Sequence, residues 1–179
     1  MQIDLKSKFL GGMIGCALGD AIGEIAFMYP KEDLLCSKVD SEKVLRYTDD
    51  AAMALGIAES IIKEGEINQQ QLGNMFKDNF EQEPWRGYAS GPPTIFSMVR
   101  KLGITYTEAA RRLFGGSGSL GNGAAMRIVP VGLIYYKDAD IYDKAVATAE
   151  ITHAHPVGVD GAACYVSVPI SNLVSQFLS

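Results

Sequence analysis

The sequence is poor in cysteine and histidine, which limits the disulfide and zinc chemistry that it can support. Its three cysteines are far apart and form no CxxC pair, so neither a disulfide framework nor a cysteine-based zinc site is expected. Free thiols are typical of reducing compartments, which favours a cytoplasmic location. Both histidines lie in one HxH sequence, His153 and His155, and no third zinc ligand is close to them in the sequence.

Excess positive charge and long apolar runs are also absent. Sixteen Lys and Arg residues against twenty-one Asp and Glu give a net charge of −5, and no basic stripe suggests nucleic-acid binding. An apolar run occupies residues 9–19, which is shorter than the roughly 20 residues that a membrane-spanning helix needs. We therefore expect neither a nucleic acid nor a membrane as a partner.

The same apolar run follows Lys6 and Lys8, so a signal peptide is one interpretation. A core helix is the favoured alternative, because four glycines recur at every fourth residue and would share one helical face. Since glycine destabilises a helix, the stripe predicts close approach of another helix or of a ligand. The four residues are Gly11, Gly15, Gly19 and Gly23.

Apolar residues recur with helical spacing, and no segment alternates as a strand would, so we predict an all-α class with residues 1–179 as one domain. Thr48 is a candidate N-cap for a helix that Gly65 ends. Residues 31–46 are interpreted as a polar connection. Further helices are predicted at 68–80, 94–102, 105–114, 124–136, 139–152 and from 157 to the end.

Two groups of carboxylates are candidates for metal or acid–base chemistry. Asp20 and Glu24 are four residues apart and would share one helical face, although a solvated helix end gives the same pattern. Thr48, Asp49 and Asp50 place three oxygen-bearing side chains at a helix start, which is the ligand type that Mg²⁺ prefers. Ordinary helix capping also explains this triplet.

A glycine-rich segment, GGSGSLGNG at residues 115–123, leads into Arg127 and predicts a phosphate-binding loop. Glycines let backbone N–H groups approach an anion closely, and a following helix start favours negative charge. The segment lacks the Gly-Lys-Ser/Thr ending of a Walker loop, and no strand precedes it as in a dinucleotide fold. A flexible linker is the alternative.

The order of these motifs resembles the ADP-ribosylglycohydrolase family. The motifs are GxxxGxAxGDAxG, TDDxAM, WRGY, GSxGNGAAMR and THAHPxG, and together they run from about residue 8 to about 165. The residues of the WRGY and GSxGNGAAMR motifs are most similar to those of the branch that removes ADP-ribose from serine. The resemblance implies a compact all-α domain, two Mg²⁺ ions in a cleft, and ADP-ribose lying across that cleft.

Carried over residue by residue, the resemblance assigns roles to positions of this sequence. It implies metal binding by Thr48, Asp49 and Asp50, with a catalytic role for the two aspartates as well, and it places Asp20 close to the metals as a catalytic carboxylate. Glu24 is a further catalytic candidate. The implied substrate-binding residues are Phe114, which would stack on adenine, and Gly118, Ser119, Gly121, Asn122, Gly123 and His153.

The sequence departs from the family pattern at three points. Phe27 stands where the family has a glutamate, and Leu120 stands where the serine branch has an aromatic residue. A late Asp-x-Asp-[Ser/Thr] metal motif is not found, since no aspartate follows Asp160. The domain is therefore expected to be incomplete at its C-terminus, with one Mg²⁺ or none.

Two functions are consistent with this pattern. One is a Mg²⁺-dependent hydrolase of an ADP-ribosylated protein or ADP-ribose derivative, completed by a further segment or by another chain such as a second copy. The other is a non-catalytic ADP-ribose-binding or scaffold domain. A purely structural helical domain is the third and least favoured interpretation.

Overall fold

The computed structural model describes residues 4–167 and consists of helices, with no strand among these residues. The predicted all-α class is confirmed. The α-helices are α1 (Leu5–Met28), α2 (Glu32–Ser41), α3 (Asp49–Glu64), α4 (Gln69–Gln82), α5 (Gly91–Leu102), α6 (Tyr106–Arg112), α7 (Val129–Ile134), α8 (Ile141–Ala149) and α9 (Pro156–Ser167). Two short 3₁₀ turns, Leu113–Gly116 and Asn122–Ala124, lie between α6 and α7.

Helix α3 lies at the centre of the hydrophobic core. Its apolar residues recur every three or four positions, and Met53 and Ile57 are almost fully buried against Phe76 of α4 and Ile95 of α5. The helix begins after Thr48 and ends at Gly65, whose left-handed conformation (φ 78°) places its N–H on the Ile61 carbonyl. Both predicted ends of this helix are confirmed.

Helix α1 lies at the edge of the core rather than within it. Within the described part of the chain its one buried residue is Ala21. The prediction that this segment forms a helix is therefore confirmed, but the prediction that the helix lies in the core is wrong. By length and composition α1 could also cross a membrane, a test that a core helix or a signal sequence passes as well. Asp20 joins α1 to α3 by hydrogen bonds, so α1 is part of the helical fold.

The glycine stripe of α1 does not mark a close contact with another helix. A Cβ atom added at Gly11, Gly15, Gly19 or Gly23 would meet no atom within 4 Å. The close approach occurs instead at the neighbouring Gly12, where an added Cβ would lie 2.9 Å from a methyl carbon of Leu133. Three of the four stripe glycines face a cavity, described below.

The structure corrects two predicted segments. Residues 31–46 contain α2, which has acidic residues in its first turn and Lys38 in its last but no buried residue, so its sequence carries little apolar periodicity. The predicted helix at 124–136 is interrupted, because Pro130 fits only the first turn of a helix and α7 therefore begins at Val129. The predicted helix from 157 is confirmed as α9 up to Ser167, and the rest of that prediction lies outside the described residues.

Candidate active site

A cavity of about 830 Å³ opens between α1, the start of α3 and the glycine loop. This volume is in the range of small-molecule sites. One side carries carboxylates, and the other carries the loop and the two residues Thr152 and His153. The predicted site residues that line the cavity are Asp20, Glu24, Thr48, Asp49, Asp50, Phe114, Ser119, Gly121, Asn122, Gly123 and His153.

Gly118 is the predicted substrate-binding residue that lies away from this lining. It is buried, has a positive φ of 71°, and an added Cβ would lie 2.7 Å from the main-chain nitrogen of His155. The position therefore requires glycine because the loop turns sharply against the chain behind it. The structure gives Gly118 a role in shaping the loop.

Asp20 caps helix α3 from a different helix. One oxygen of its carboxylate accepts from the main-chain N–H groups of Thr48 (2.8 Å) and Ala51 (3.0 Å), and the other accepts from the Thr48 hydroxyl (2.5 Å). These bonds satisfy N–H groups that a helix start leaves without partners. The carboxylate is also favourably placed at the positive end of the helix dipole. Asp20 thus holds Thr48 and the following aspartates in position.

Asp49 and Asp50 lie in an environment that disfavours their negative charge. None of the ion pairs found within residues 4–167 involves either carboxylate. Partial burial, followed by the nearby charges of Asp20 and Asp49, raises the pKa of Asp50 to about 6. Burial, with smaller contributions from Asp20 and Glu24, also raises the pKa of Asp49. A bound cation would relieve this repulsion.

The oxygen donors at this end of the cavity form a partial metal site. Among residues 4–167 no three His, Cys, Asp or Glu side chains converge as a complete metal cluster. Asp49 and Asp50 contribute carboxylates, and the Thr48 hydroxyl, which donates to Asp20, keeps lone pairs for a ligand. Sites for Mg²⁺ commonly use one or two carboxylates and leave other positions to water or substrate oxygens.

The glycine loop begins with a left-handed turn that aims an aromatic ring at the cavity. Phe114 has φ 51° and ψ 47°, and Gly115 and Gly116 also have positive φ values. A non-glycine residue in this conformation costs free energy, and such strain is concentrated at functional sites. The Phe114 ring lines the cavity and is 60% exposed, so it is available to stack on a flat ligand group.

Residues 152–158, which contain the THAHPxG motif, pack against the back of the glycine loop. A Cβ added at Gly158 would lie 2.7 Å from the Ser119 carbonyl oxygen, and one added at Gly123 would lie 3.0 Å from the His153 ring. The His153 ring is therefore packed closely between the loop and the start of α9. Burial, then the charge of Arg127, lowers the pKa of His153 to about 3, so the ring is neutral at physiological pH.

The WRGY motif positions the chain that precedes the aspartates. The Arg86 guanidinium donates to both carboxylate oxygens of Glu83 (2.6 and 2.9 Å) and to the Tyr47 carbonyl (2.7 Å). It also lies 3.8 Å from the centroid of the Tyr47 ring and 4.4 Å from that of Trp85. Next to it, Gly87 has φ 86° and lines the cavity beside Asp49.

Sequence reasoning did not assign several residues to the site. The WRGY motif is quoted for its resemblance alone, although Gly87 lines the cavity. Arg127 follows the loop in the sequence, but spacing does not reveal that its side chain is buried beneath the cavity, where it is 1% exposed. Cys16 and Tyr165 also line the cavity. For these last two no sequence signal is evident.

Comparison with known proteins agrees with this geometry. The family model described as ADP-ribosylglycohydrolase matches residues 1–176. The chain belongs to the ADP-ribosylglycohydrolase family. It is 34% identical over 166 residues to ADP-ribosylhydrolase ARH3 of Xenopus tropicalis and 31% identical over 171 residues to the Homo sapiens protein of the same name; each match covers 87% of this chain and 47% of the relative.

A bacterial relative matches at a similar level. The ADP-ribosyl-[dinitrogen reductase] glycohydrolase of Rhodospirillum rubrum is 29% identical over 171 residues, covering 89% of this chain and 55% of the relative. The chain thus spans about half the length of the curated relatives that it matches. Its resemblance to the ADP-ribosylglycohydrolase family, stated from the sequence motifs, is confirmed.

Proposed function

We propose that this chain binds ADP-ribose across the cavity and takes part in hydrolysing the bond between ADP-ribose and an acceptor. The observation that carries the proposal is that the carboxylate cluster and the glycine loop face the same cavity. A ligand spanning it would place anionic groups at the loop and neutral hydroxyls at the carboxylates. Both chemistries are present in ADP-ribose, and the names of the relatives refer to the same group.

Thr48, Asp49 and Asp50 would hold Mg²⁺, and their chemistry fits this ion. The donors are hard oxygens, the two carboxylates have no ion-pair partner among the described residues, and their pKa values are raised. When bound, the metal would supply Lewis acidity toward ribose hydroxyls and water. Since the donor set within residues 4–167 is partial, we expect the affinity for a lone Mg²⁺ to be weak and to increase with substrate.

The chain's own residues then have separate tasks. Asp20 keeps Thr48 and the two aspartates in register through its three hydrogen bonds. The backbone of the loop binds the diphosphate, and Phe114 stacks on the base. Glu24, one helical turn from Asp20, is a further carboxylate in the cavity that is available to accept a proton from water.

A non-catalytic ADP-ribose-binding domain is the second candidate. It is favoured by one observation, namely that no complete metal cluster is formed by the described residues. Binding would then depend on the loop, Phe114 and His153, and would be insensitive to Mg²⁺. The group to which ADP-ribose is attached, whether serine, arginine or another acceptor, is varied in the experiment below.

Calorimetry with ADP-ribose, with and without Mg²⁺, separates these candidates when combined with an assay of ADP-ribose release from modified serine and arginine peptides. Mg²⁺-dependent binding with release supports the hydrolase, and the peptide that is cleaved identifies the acceptor. Binding without release refutes the hydrolase for this chain and supports the binding domain. No binding refutes both.

A matched pair of variants tests the assignment of the metal ligands. Asp49→Asn removes a cavity carboxylate, whereas Asp143→Asn removes an exposed carboxylate in the first turn of α8. We expect the first to abolish the effect of Mg²⁺ on ADP-ribose binding and the second to preserve it. Equal Mg²⁺ dependence in both variants would exclude Asp49 from the metal site.

A further inference from the structure

Three buried residues form a chain of polar contacts behind the glycine loop. Nη2 of Arg127 donates to the Thr148 carbonyl (3.0 Å) and to Oγ1 of Thr152 (2.7 Å), and Oγ1 of Thr152 lies 2.8 Å from Nδ1 of His153. On its other side the His153 ring faces the glycine loop: a Cβ added at Gly123 would lie 3.3 Å from its Nε2, and the main chain of Gly121 is close enough to influence its pKa. Arg127, Thr152 and His153 are 1%, 1% and 5% exposed. This series of contacts therefore runs through the protein interior and ends at the glycine loop.

The direction of the Arg127 contacts follows from the groups involved. A guanidinium only donates, so the Thr152 oxygen accepts from Arg127 and its hydroxyl hydrogen can be donated to Nδ1 of His153. The ring is neutral, since its pKa is lowered, and so carries a single proton. An accepting Nδ1 leaves that proton on Nε2, which lies beside the loop, where the main chain of Gly121 offers an acceptor.

The burial of Arg127 needs an explanation beyond packing. The ion pairs within residues 4–167 do not include it, and its Nε atom has no hydrogen-bond partner there. The Phe76 ring, 4.8 Å from the guanidinium carbon, offers partial compensation. The charge of Asp49 stabilises the guanidinium from the cavity side, but a buried charge that forms no direct ion pair is still costly. Such a cost is typical of functional sites.

We propose that Arg127 and Thr152 are positioning residues that hold His153 as its Nε2–H tautomer, so that His153 fixes the glycine loop through Gly121. The proposal assigns His153 to the loop rather than to proton transfer. The proposal rests on the proposed function only where it identifies ADP-ribose as the ligand of the loop. The tautomer and the order of the loop can be measured without any ligand.

The first test uses two threonines that are equally buried and differ in their contacts. The Thr152 hydroxyl reaches His153, whereas the Thr148 hydroxyl bonds locally to the Ala145 carbonyl. In Thr152→Val we expect imidazole ¹⁵N NMR signals to change from a single Nε2–H form to a tautomer mixture. We also expect amide exchange in residues 117–123 to accelerate about tenfold, which corresponds to about 1.4 kcal/mol, within the range expected for the loss of one hydrogen bond.

Thr152→Ser should restore the wild-type pattern, and Thr148→Val should preserve it. If Thr152→Val keeps a single Nε2–H tautomer and wild-type amide exchange, the proposal is overturned. Equal loss of loop protection in the Thr148→Val control would overturn it as well, because the effect would then reflect general loosening of the core.

A second pair keeps the proposal testable if the valine variant does not fold. The side-chain amide nitrogen of Gln can occupy the position of the His153 Nε2 atom. The Asn side chain is one methylene shorter, so its amide nitrogen does not reach Gly121. We therefore expect His153→Gln to retain slow exchange of the loop amides and His153→Asn to lose it. The reverse order, or no difference between the two, would contradict the proposed hydrogen bond.

The ligand readout then separates this inference from the proposed function. If wild-type protein binds ADP-ribose, Thr152→Val should raise its Kd about tenfold, and in a catalytic assay should raise KM more than it lowers kcat. An unchanged Kd together with an altered tautomer would overturn the role of the loop. If the wild type binds no ADP-ribose, the proposed function fails, while the tautomer and exchange measurements still decide the positioning role.

Discussion

Asp50→Asn should stabilise this protein in the absence of divalent cations, although it removes a carboxylate of the proposed metal site. Partial burial and the charges of Asp20 and Asp49 raise the pKa of Asp50 from its ordinary 3.8 to about 6. A carboxylate whose pKa is higher in the folded state opposes folding when it ionises. This destabilisation is absent below about pH 4, increases up to about pH 6 and is constant above.

The magnitude follows from the same values. The rise corresponds to about 3 kcal/mol at about 1.4 kcal/mol per pH unit. Since Asp50 is only partly buried, solvent screening reduces this to roughly 1 kcal/mol. Asparagine is nearly isosteric and carries no charge, so the variant should be about 1 kcal/mol more stable than the wild type at pH 7.5 and nearly equal to it close to pH 4.

Urea unfolding in EDTA at pH 4.5, 6 and 7.5 measures this difference directly, with Asp143→Asn as the control that should show no comparable gain. Saturating Mg²⁺ should then stabilise the wild type, by about 2.7 kcal/mol at a hundredfold excess over Kd, and leave Asp50→Asn unchanged. If the variant is less stable than the wild type at pH 7.5 in EDTA, the reasoning about unpaired carboxylates is refuted.

Three further substitutions follow from the contacts. Asp20→Asn should lower the free energy of unfolding by about 2–3 kcal/mol, because its charge serves three hydrogen bonds; a loss below about 0.5 kcal/mol in a urea titration would contradict this. Gly158→Ala should cost about 1–3 kcal/mol through the contact with Ser119 and weaken ADP-ribose binding, whereas Gly161→Ala, which has free space, should be neutral or stabilising. Arg86→Lys keeps the charge but loses the bidentate and stacking contacts, so calorimetry should show a lower Tm; an unchanged Tm would argue against that cluster.

The start of α3 shows how far the sequence predicts this structure. Thr48 as the residue before the helix and Gly65 as its end follow from local rules, and both are confirmed. The capping mechanism does not follow from them, because the Thr48 side chain caps nothing and donates instead to Asp20. That contact spans 28 residues of sequence, so only the tertiary arrangement of α1 against α3 reveals it.

The remaining differences have similar causes. Helix α2 has no buried residue, so the periodicity that identifies other helices is weak there. The glycine stripe of α1 predicts contact with a helix or a ligand. In the structure three of its four glycines line the cavity, and a Cβ atom added at any of the four would contact no atom of another helix. A sequence pattern identifies a face that needs small residues, but it does not reveal what lies opposite.

The attachment of α1 has a consequence for how the site is maintained. Within the described residues α1 buries Ala21, while Leu10, Ile14 and Leu18 remain about half exposed, so little apolar burial opposes its local unfolding. Release of α1 would withdraw Asp20 and with it the cap of α3. The geometry of the carboxylate cluster and the docking of α1 are therefore thermodynamically coupled. A ligand that orders the aspartates should slow hydrogen exchange along α1, including turns that it does not contact.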